Sequence, residues 1–359
     1  MFGQHRKAIG IATSTASILG LTLTSGLAFV ANMFVEEFSR PHILLPESGF
    51  TWGMPTKLPG EPPLALQRHL LFRTSDGVLL CGDFWAQCQP APTIIVCHGY
   101  RISRSHLQPA AELEYALGYN VLFFDFRGHG DSDSVMTSAG NAEVRDLEAA
   151  IYVASQQPET LPGHIIIHGF SMGAAVALLT PPHPDVLAIV ADSPYARSDD
   201  ILRRLVAFRL MDEWLKRYPR WTLPRGLIAS LSWCIVSMSR IVFRLRFGYP
   251  VVARPETSFK RWKQRSRKAL QQHSIPILLI HSSGDNLIPF KHAQQIAAEA
   301  KAHGASLETY FVDADTHCGA YGWDPIEYDR VIQDFLARHL KNAHLKNAPL
   351  SEHLRCDPR

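Results

Sequence analysis

Gly169-Phe170-Ser171-Met172-Gly173 follows the apolar run 165–167 with only His168 between, and leads into the alanine-rich apolar stretch from Ala174 to Leu179. A G-x-S-x-G pentapeptide between a strand and a helix imposes a very sharp reversal of the chain. The turn leaves no room for side chains at its two outer positions, so both are glycine. The serine at the apex is held in a strained backbone conformation, with its hydroxyl lifted clear of the sheet. The helix that begins there points its first amides at the same place. Glycine and serine are common in turns, so the pentapeptide alone says little; with its strand and helix in place it is a specific signal.

An unassisted serine hydroxyl is a poor nucleophile and needs a base, which in turn needs a group to orient it. On such a turn the partners follow in the order Ser, acid, His, each at the end of a later strand. The run 277–280 ends in His281-Ser282-Ser283-Gly284-Asp285, and the run 307–312 ends in Asp313-Ala314-Asp315-Thr316-His317. Asp285 is therefore the expected acid and His317 the expected base. Asp192, which ends the run 187–190, competes for the acid role, and Asp315 does so more weakly. The oxyanion of a tetrahedral intermediate needs two donors. The amide of Met172 is one, and the amide of Tyr100, in the loop His98-Gly99-Tyr100-Arg101 after strand 93–97, is the other. His98 precedes the nucleophile in the chain and is expected to brace that loop. The cluster Arg127-Gly128-His129-Gly130-Asp131-Ser132 reads as a tight structural loop beside the site.

Taken together, His98-Gly99, Asp125 to Ser132, the elbow Gly169 to Gly173, Ala191-Asp192-Ser193-Pro194, His281 to Asp285, and His317 resemble the α/β-hydrolase superfamily. More narrowly, the chain looks like membrane-anchored bacterial hydrolases of the Bem46-like and serine-aminopeptidase-like kind. The resemblance implies an esterase or acylhydrolase with Ser171, Asp285 and His317 as its triad and no cofactor. It leaves the substrate open, since this scaffold hosts many chemistries. Transfer of the acyl group to an acceptor other than water is an alternative, as is a catalytically silent binding protein, which predicts the three side chains beyond hydrogen-bond reach. Dehalogenases and epoxide hydrolases are excluded, because they place Asp at the elbow.

Strands are expected at 67–73 and 78–85 as an antiparallel edge hairpin. Further strands at 93–97, 120–126, 164–169, 187–192, 276–281 and 307–313 alternate with helices near 106–117, 142–157, 171–180, 291–303 and 326–340. Continuous apolar character suits parallel strands buried on both faces, so the fold class is α/β, a doubly wound and mostly parallel sheet. The core is expected over 67–194 and 273–341. Residues 195–272 between them are too long for a simple connection and read as a helical cap. Between Ile201 and Lys268 there are seventeen lysines and arginines against three acids. This is a local basic patch and not a uniform nucleic-acid-binding surface. The cap is expected either to close an apolar face over the pocket or to lean on anionic headgroups. Its composition favours an apolar or acyl substrate. The six cysteines show no zinc-type spacing and no compact disulfide framework, so no metal is expected.

Residues 8–35 contain no charged side chain, with His5-Arg6-Lys7 before them and Glu36-Glu37 after. That length exceeds the ~20 residues needed to cross a hydrocarbon core. A signal anchor over 1–40 and a signal peptide cut after a small residue such as Ala28 are the two readings, and the uninterrupted length favours the anchor. The flanking charges then put the catalytic domain on the non-cytoplasmic side of a single-pass protein. Six prolines mark 41–66 as an extended linker, and 342–359 as a polar tail. The oligomeric state is left open.

Overall fold

The chain forms the strands of an eight-stranded sheet, and away from the two edges they are mostly apolar runs too continuous to leave a polar face. These are β1 (Gln67–Arg73), β2 (Leu79–Trp85), β3 (Ala91–Cys97), β4 (Asn120–Phe124), β5 (Thr160–Phe170), β6 (Val186–Asp192), β7 (Ile277–Ser282) and β8 (Leu307–Val312). Every residue of β3, β4 and β7 is buried, as expected where helices cover both faces of a parallel sheet. The edge strands β1 and β8 are only partly buried. The order is β1-β2-β4-β3-β5-β6-β7-β8. The first two pairings are antiparallel and the rest parallel.

The computed structural model describes residues 24–43, 60–248, 252–269 and 275–342. Its helices are α1 (24–39), α2 (Gln108–Ala116), α3 (Val144–Ser155), α4 (Met172–Leu179), α5 (Ser198–Arg217), α6 (Arg225–Phe247), α7 (Ser258–Ala269), α8 (Lys291–His303), α9 (Ala320–Trp323) and α10 (Pro325–Asn342). The chain divides into two compact units. Among the described residues, one holds 24–39 together with 199–248; the other holds 40–43, 60–198, 252–269 and 275–342, including the whole sheet. The expected anchor lies partly outside the described residues: 1–23 are not described, whereas 24–39 form α1. Most of the Pro-rich segment and nearly all of the tail are likewise outside them.

Some elements differ from the expectation, and β5 begins at Thr160, four residues before the expected start at 164. Strand 120–126 stops at Phe124: Asp125 N still reaches β2, donating to Cys81 O at 2.8 Å, but Phe126 N leaves the ladder and donates to His98 Nε2 at 2.9 Å. The short helix α9 was not expected; four residues are too few to show a helical period.

Chain crossings set the position of the site. From β3 the chain goes to β4 on one side, then returns to β5 on the other, so the strand order reverses between β3 and β5. Ligands of open parallel sheets bind in the crevice outside such a reversal, at the carboxyl ends of the strands. The register aligns those ends: Cys97 pairs with Gly169, Phe170 with Asp192, and Ser282 with Val312. The loops following β3, β5, β6, β7 and β8 therefore leave from one edge.

Arg127 explains much of the loop after β4. Its guanidinium meets Asp146 of α3 at 2.7 Å and Asp76 at 2.8 Å. Its amide also donates to Asp146 Oδ2 at 3.0 Å. Both Arg127 and Asp146 are buried, and a buried charge requires such pairing. The structural reading of this cluster thus has a concrete basis.

Candidate active site

Ser171 sits between β5 and α4 with φ 52° and ψ −110°, a region that residues bearing a Cβ rarely occupy. Its backbone is over-determined from both sides. Ser171 N donates to Asp192 O of β6 at 2.8 Å, and Ser171 O accepts from Ala175 N at 3.0 Å. All eight residues of α4 are buried. The small side chains Gly173, Ala174 and Ala175 allow this helix to lie against the sheet.

His317 Nε2 is 2.8 Å from Ser171 Oγ, and His317 Nδ1 is 2.6 Å from Asp285 Oδ2. The structure thus brings together three side chains that come from the ends of β5, β7 and β8. The carboxylate can only accept, so Nδ1 carries the proton and donates it. Nε2 is then left with a lone pair facing the serine hydroxyl. This arrangement can draw the hydroxyl proton onto the imidazole as the oxygen attacks an electrophile. It also lacks the separation beyond hydrogen-bond reach that a silent site predicts.

Asp285 is held on its other oxygen as well. Oδ1 accepts from the amides of Leu287 at 2.9 Å and Ile288 at 2.8 Å. Burial by itself raises this carboxyl, but the hydrogen bond and charge of His317, with the Ile288 amide, outweigh it and hold the group below its ordinary value. A carboxyl depressed in the native state contributes stability that is fully present above its unfolded value of about 3.9. That contribution is lost as pH falls through the lower native value. Asp285→Asn should therefore be less stable than the parent at neutral pH, with the gap narrowing below about pH 4. Urea unfolding over a pH series measures this, and a gap that stays constant down to pH ~3 would contradict it.

The competing acids are placed elsewhere. Asp192 is fully buried and accepts from Ser193 Oγ at 2.8 Å and from Tyr328 OH at 3.0 Å. Tyr328 OH in turn lies 3.2 Å from His168 Nε2, and His168 Nδ1 is 2.7 Å from Glu114. Asp192 thus belongs to a buried polar chain beneath the site. Asp315 is exposed. Cys318, next to the base, has φ 53° and is buried. Burial, and behind it the charges of Asp192 and Asp285, push its thiol well above the ordinary range, so it is protonated and not a nucleophile.

The loop after β3 lies against the serine: a Cβ on Gly99 would come within 3.4 Å of Ser171 Cβ. Tyr100 is half-buried in the turn that follows, and its ring meets that of His129 edge-on with centroids 6.0 Å apart. Met172 is the first residue of α4, where amides have no intrahelical acceptor. His98 Nε2 accepts from Phe126 N, so its proton is on Nδ1, which donates to Gly99 O at 2.7 Å. Burial first, and then His129, keep His98 well below its ordinary value and therefore neutral. His98 thus braces the loop. His129 Nδ1 donates to Arg127 O at 2.9 Å, and its Nε2 accepts from Arg101 N at 3.4 Å.

Sequence reasoning gave His129 no such task, and it missed two further supports. His281 donates from Nε2 to Ile288 O at 2.9 Å, holding the loop whose amides bind Asp285. Ser283 Oγ donates to Asp313 Oδ1 at 2.7 Å and Gly284 N to Ala314 O at 2.9 Å, tying the acid's loop to the base's loop. The sequence signal for both was His281-Ser282-Ser283-Gly284 itself, four residues that precede the acid without an evident purpose.

Comparison with known proteins agrees with this architecture. Residues 88–311 match the hydrolase family described as serine aminopeptidase, S33. The uncharacterized protein YqkD of Bacillus subtilis is 30% identical over 248 residues, covering 68% of this chain and 70% of that one. Human monoglyceride lipase is 22% identical over 268 residues, covering 71% of this chain and 85% of the lipase. The structure of the Pyrococcus furiosus esterase Pf2001 superposes with a TM-score of 0.58 at 25% identity, covering 80% of this chain and 99% of the esterase. The chain belongs to the serine aminopeptidase S33 family and is an α/β-hydrolase.

Proposed function

We propose that this hydrolase cleaves a carboxylic ester or related acyl bond through an acyl-enzyme on Ser171. The observation that carries the reading is the continuous hydrogen-bond path from Ser171 Oγ through His317 to Asp285, 2.8 Å and 2.6 Å long in its two steps. Ser171 Oγ attacks the acyl carbon while His317 Nε2 takes its proton, and Asp285 stabilises the imidazolium that forms. The amides of Tyr100 and Met172 hold the oxyanion. As the intermediate collapses, His317 returns the proton to the leaving oxygen. Water then enters by the same route and releases the acid. Support for an acyl substrate comes from the names of the relatives, an esterase and a monoglyceride lipase. We place the enzyme on the non-cytoplasmic side of a membrane, with residues 8–35 as its anchor, on the strength of their charge-free length.

A fluorophosphonate probe, which phosphonylates activated serines, should label the parent protein and fail to label Ser171→Ala. Turnover of p-nitrophenyl esters of graded chain length then fixes the acyl preference. Folded parent protein that takes up no probe would remove the proposal.

A further inference from the structure

Helix α6 is apolar on two sides, and only one of them is covered. Ile228, Ser232, Ile235, Val236, Ser239 and Phe243 form its buried stripe. A second stripe, Leu227, Leu231, Cys234, Met238, Ile241 and Leu245, repeats at intervals of three and four residues. It is offset from the first by about a third of the circumference and is about 27 Å long at 1.5 Å per residue. Leu227, Leu231, Ile241 and Leu245 of this stripe are exposed, Leu245 by 81%. A helix this apolar is normally enclosed, yet only a third of its most apolar window is buried. More than half of the exposed large apolar side chains among the described residues fall in the unit formed by α1, α5 and α6.

The charges on this unit point to what covers the stripe. Every described acid of the unit has a basic partner: Glu36 with Arg246, Glu37 with Arg209, Asp199 and Asp200 with Arg203, and Asp212 and Glu213 with Lys216. Arg217, Arg220, Arg225, Arg240 and Arg244 have no acidic partner among the described residues. All five are exposed, and they cluster at the two ends of α6 and just before it. Trp221, 73% exposed, lies just before the first of those ends, and Trp233, 57% exposed, borders the stripe beside Cys234. An apolar stripe bordered by arginines and tryptophans matches acyl chains bordered by anionic headgroups. Arginine stems can lie along the acyl layer while their guanidinium groups reach phosphate.

A connection to α1 strengthens this. Ser239 Oγ donates to Ala31 O at 3.4 Å, and Arg246 donates to Asn32 Oδ1 at 3.0 Å. The helix that packs along α6 is thus the end of the charge-free run 8–35, and it exposes Phe29, Val30 and Met33.

We propose that α6 seats this second stripe in the acyl-chain layer of a bilayer carrying anionic headgroups, as a membrane contact in addition to the N-terminal run. The inference does not depend on the chemistry of Ser171. Cys234 lies in the stripe and is a free, half-exposed thiol, whereas Cys81, Cys97 and Cys318 are buried. The full chain, labelled at Cys234 with an environment-sensitive fluorophore, is bound to phosphatidylcholine vesicles with or without phosphatidylglycerol. Lipids spin-labelled on the acyl chain should abolish most of the emission. They should not affect a label at Tyr152→Cys, on the exposed side of α3, in a Cys234→Ala background.

Leu231→Glu/Ile241→Glu should lose the quenching while hydrolysing a soluble ester as the parent does. Omitting phosphatidylglycerol should weaken the quenching. Emission from Cys234 that acyl-chain spin labels leave untouched, in protein that still floats with the vesicles, would overturn the proposal. So would self-quenching that rises with protein concentration, which would identify a second copy as the occupant. Quenching equal in the two lipid mixtures would overturn the role given to anionic headgroups.

Discussion

Ser171→Ala, His317→Ala and the double variant should each lower kcat on a short p-nitrophenyl ester by about the same factor, on the order of 10⁶. Equal losses are expected because the two side chains perform one act. The hydroxyl attacks only as its proton moves along the 2.8 Å path to Nε2, so removing either atom removes the whole step. Once the step is gone, the second substitution has nothing left to remove. The activity that remains over water then comes from substrate positioning and from the donors that hold the oxyanion, which neither change touches. All three proteins should keep the parent's near-ultraviolet circular dichroism, since Ser171→Ala and His317→Ala delete atoms at the edge of the strands and not in the sheet. Retention of more than a few per cent of parental kcat by Ser171→Ala would show that another group is the nucleophile.

The convergence of Ser171, Asp285 and His317 was legible in the sequence because each follows an apolar run that only a buried strand explains. Parallel strands of one sheet end at one edge, so residues at the ends of β5, β7 and β8 are neighbours even though 146 positions separate Ser171 from His317. Strand cores were readable for the same reason: in β3 and β7 the requirement for burial on both faces overrides every other signal. What was not legible depends on distances of a few ångströms. Nothing in the residue pattern says that His129 accepts from Arg101 N, or that Ser283 reaches Asp313. Both contacts require knowing how two loops face each other, and a loop has no period to read. The pairing of α1 with α6 was hidden differently. Ala31 and Ser239 lie 208 positions apart, and the apolar character of each segment has an adequate local explanation, an anchor in one case and a cap in the other. Burial has to be observed before the two-sided nature of α6 becomes informative.

Gly173→Ala should be the most disruptive single-methyl change in the larger unit. A Cβ at Gly173 would lie 2.6 Å from the carbonyl carbon of Cys97 and closer still to its oxygen. Those are backbone atoms of β3, a strand buried along its whole length between β4 and β5, so no rotamer change relieves the clash. Either α4 lifts off the sheet or β3 moves against two neighbours. Moving α4 also disturbs Ser171, whose carbonyl accepts from Ala175 N in the first turn. Overpacking of a well-filled core costs roughly 1–3 kcal/mol when side chains can adapt, and here backbone must move. A loss of about 3 kcal/mol or more is therefore expected, equivalent to a drop in melting temperature of roughly 6–12 °C for a domain of this size. Gly99→Ala provides the contrast. Its Cβ would meet Ser171 Cβ at 3.4 Å and nothing nearer, so the fold should survive while the space above the serine narrows. Thermal unfolding of the two variants beside the parent distinguishes them. If Gly173→Ala melts within about 2 °C of the parent, α4 does not rest on β3 as closely as this geometry requires, and the elbow owes its second glycine to something other than contact with Cys97.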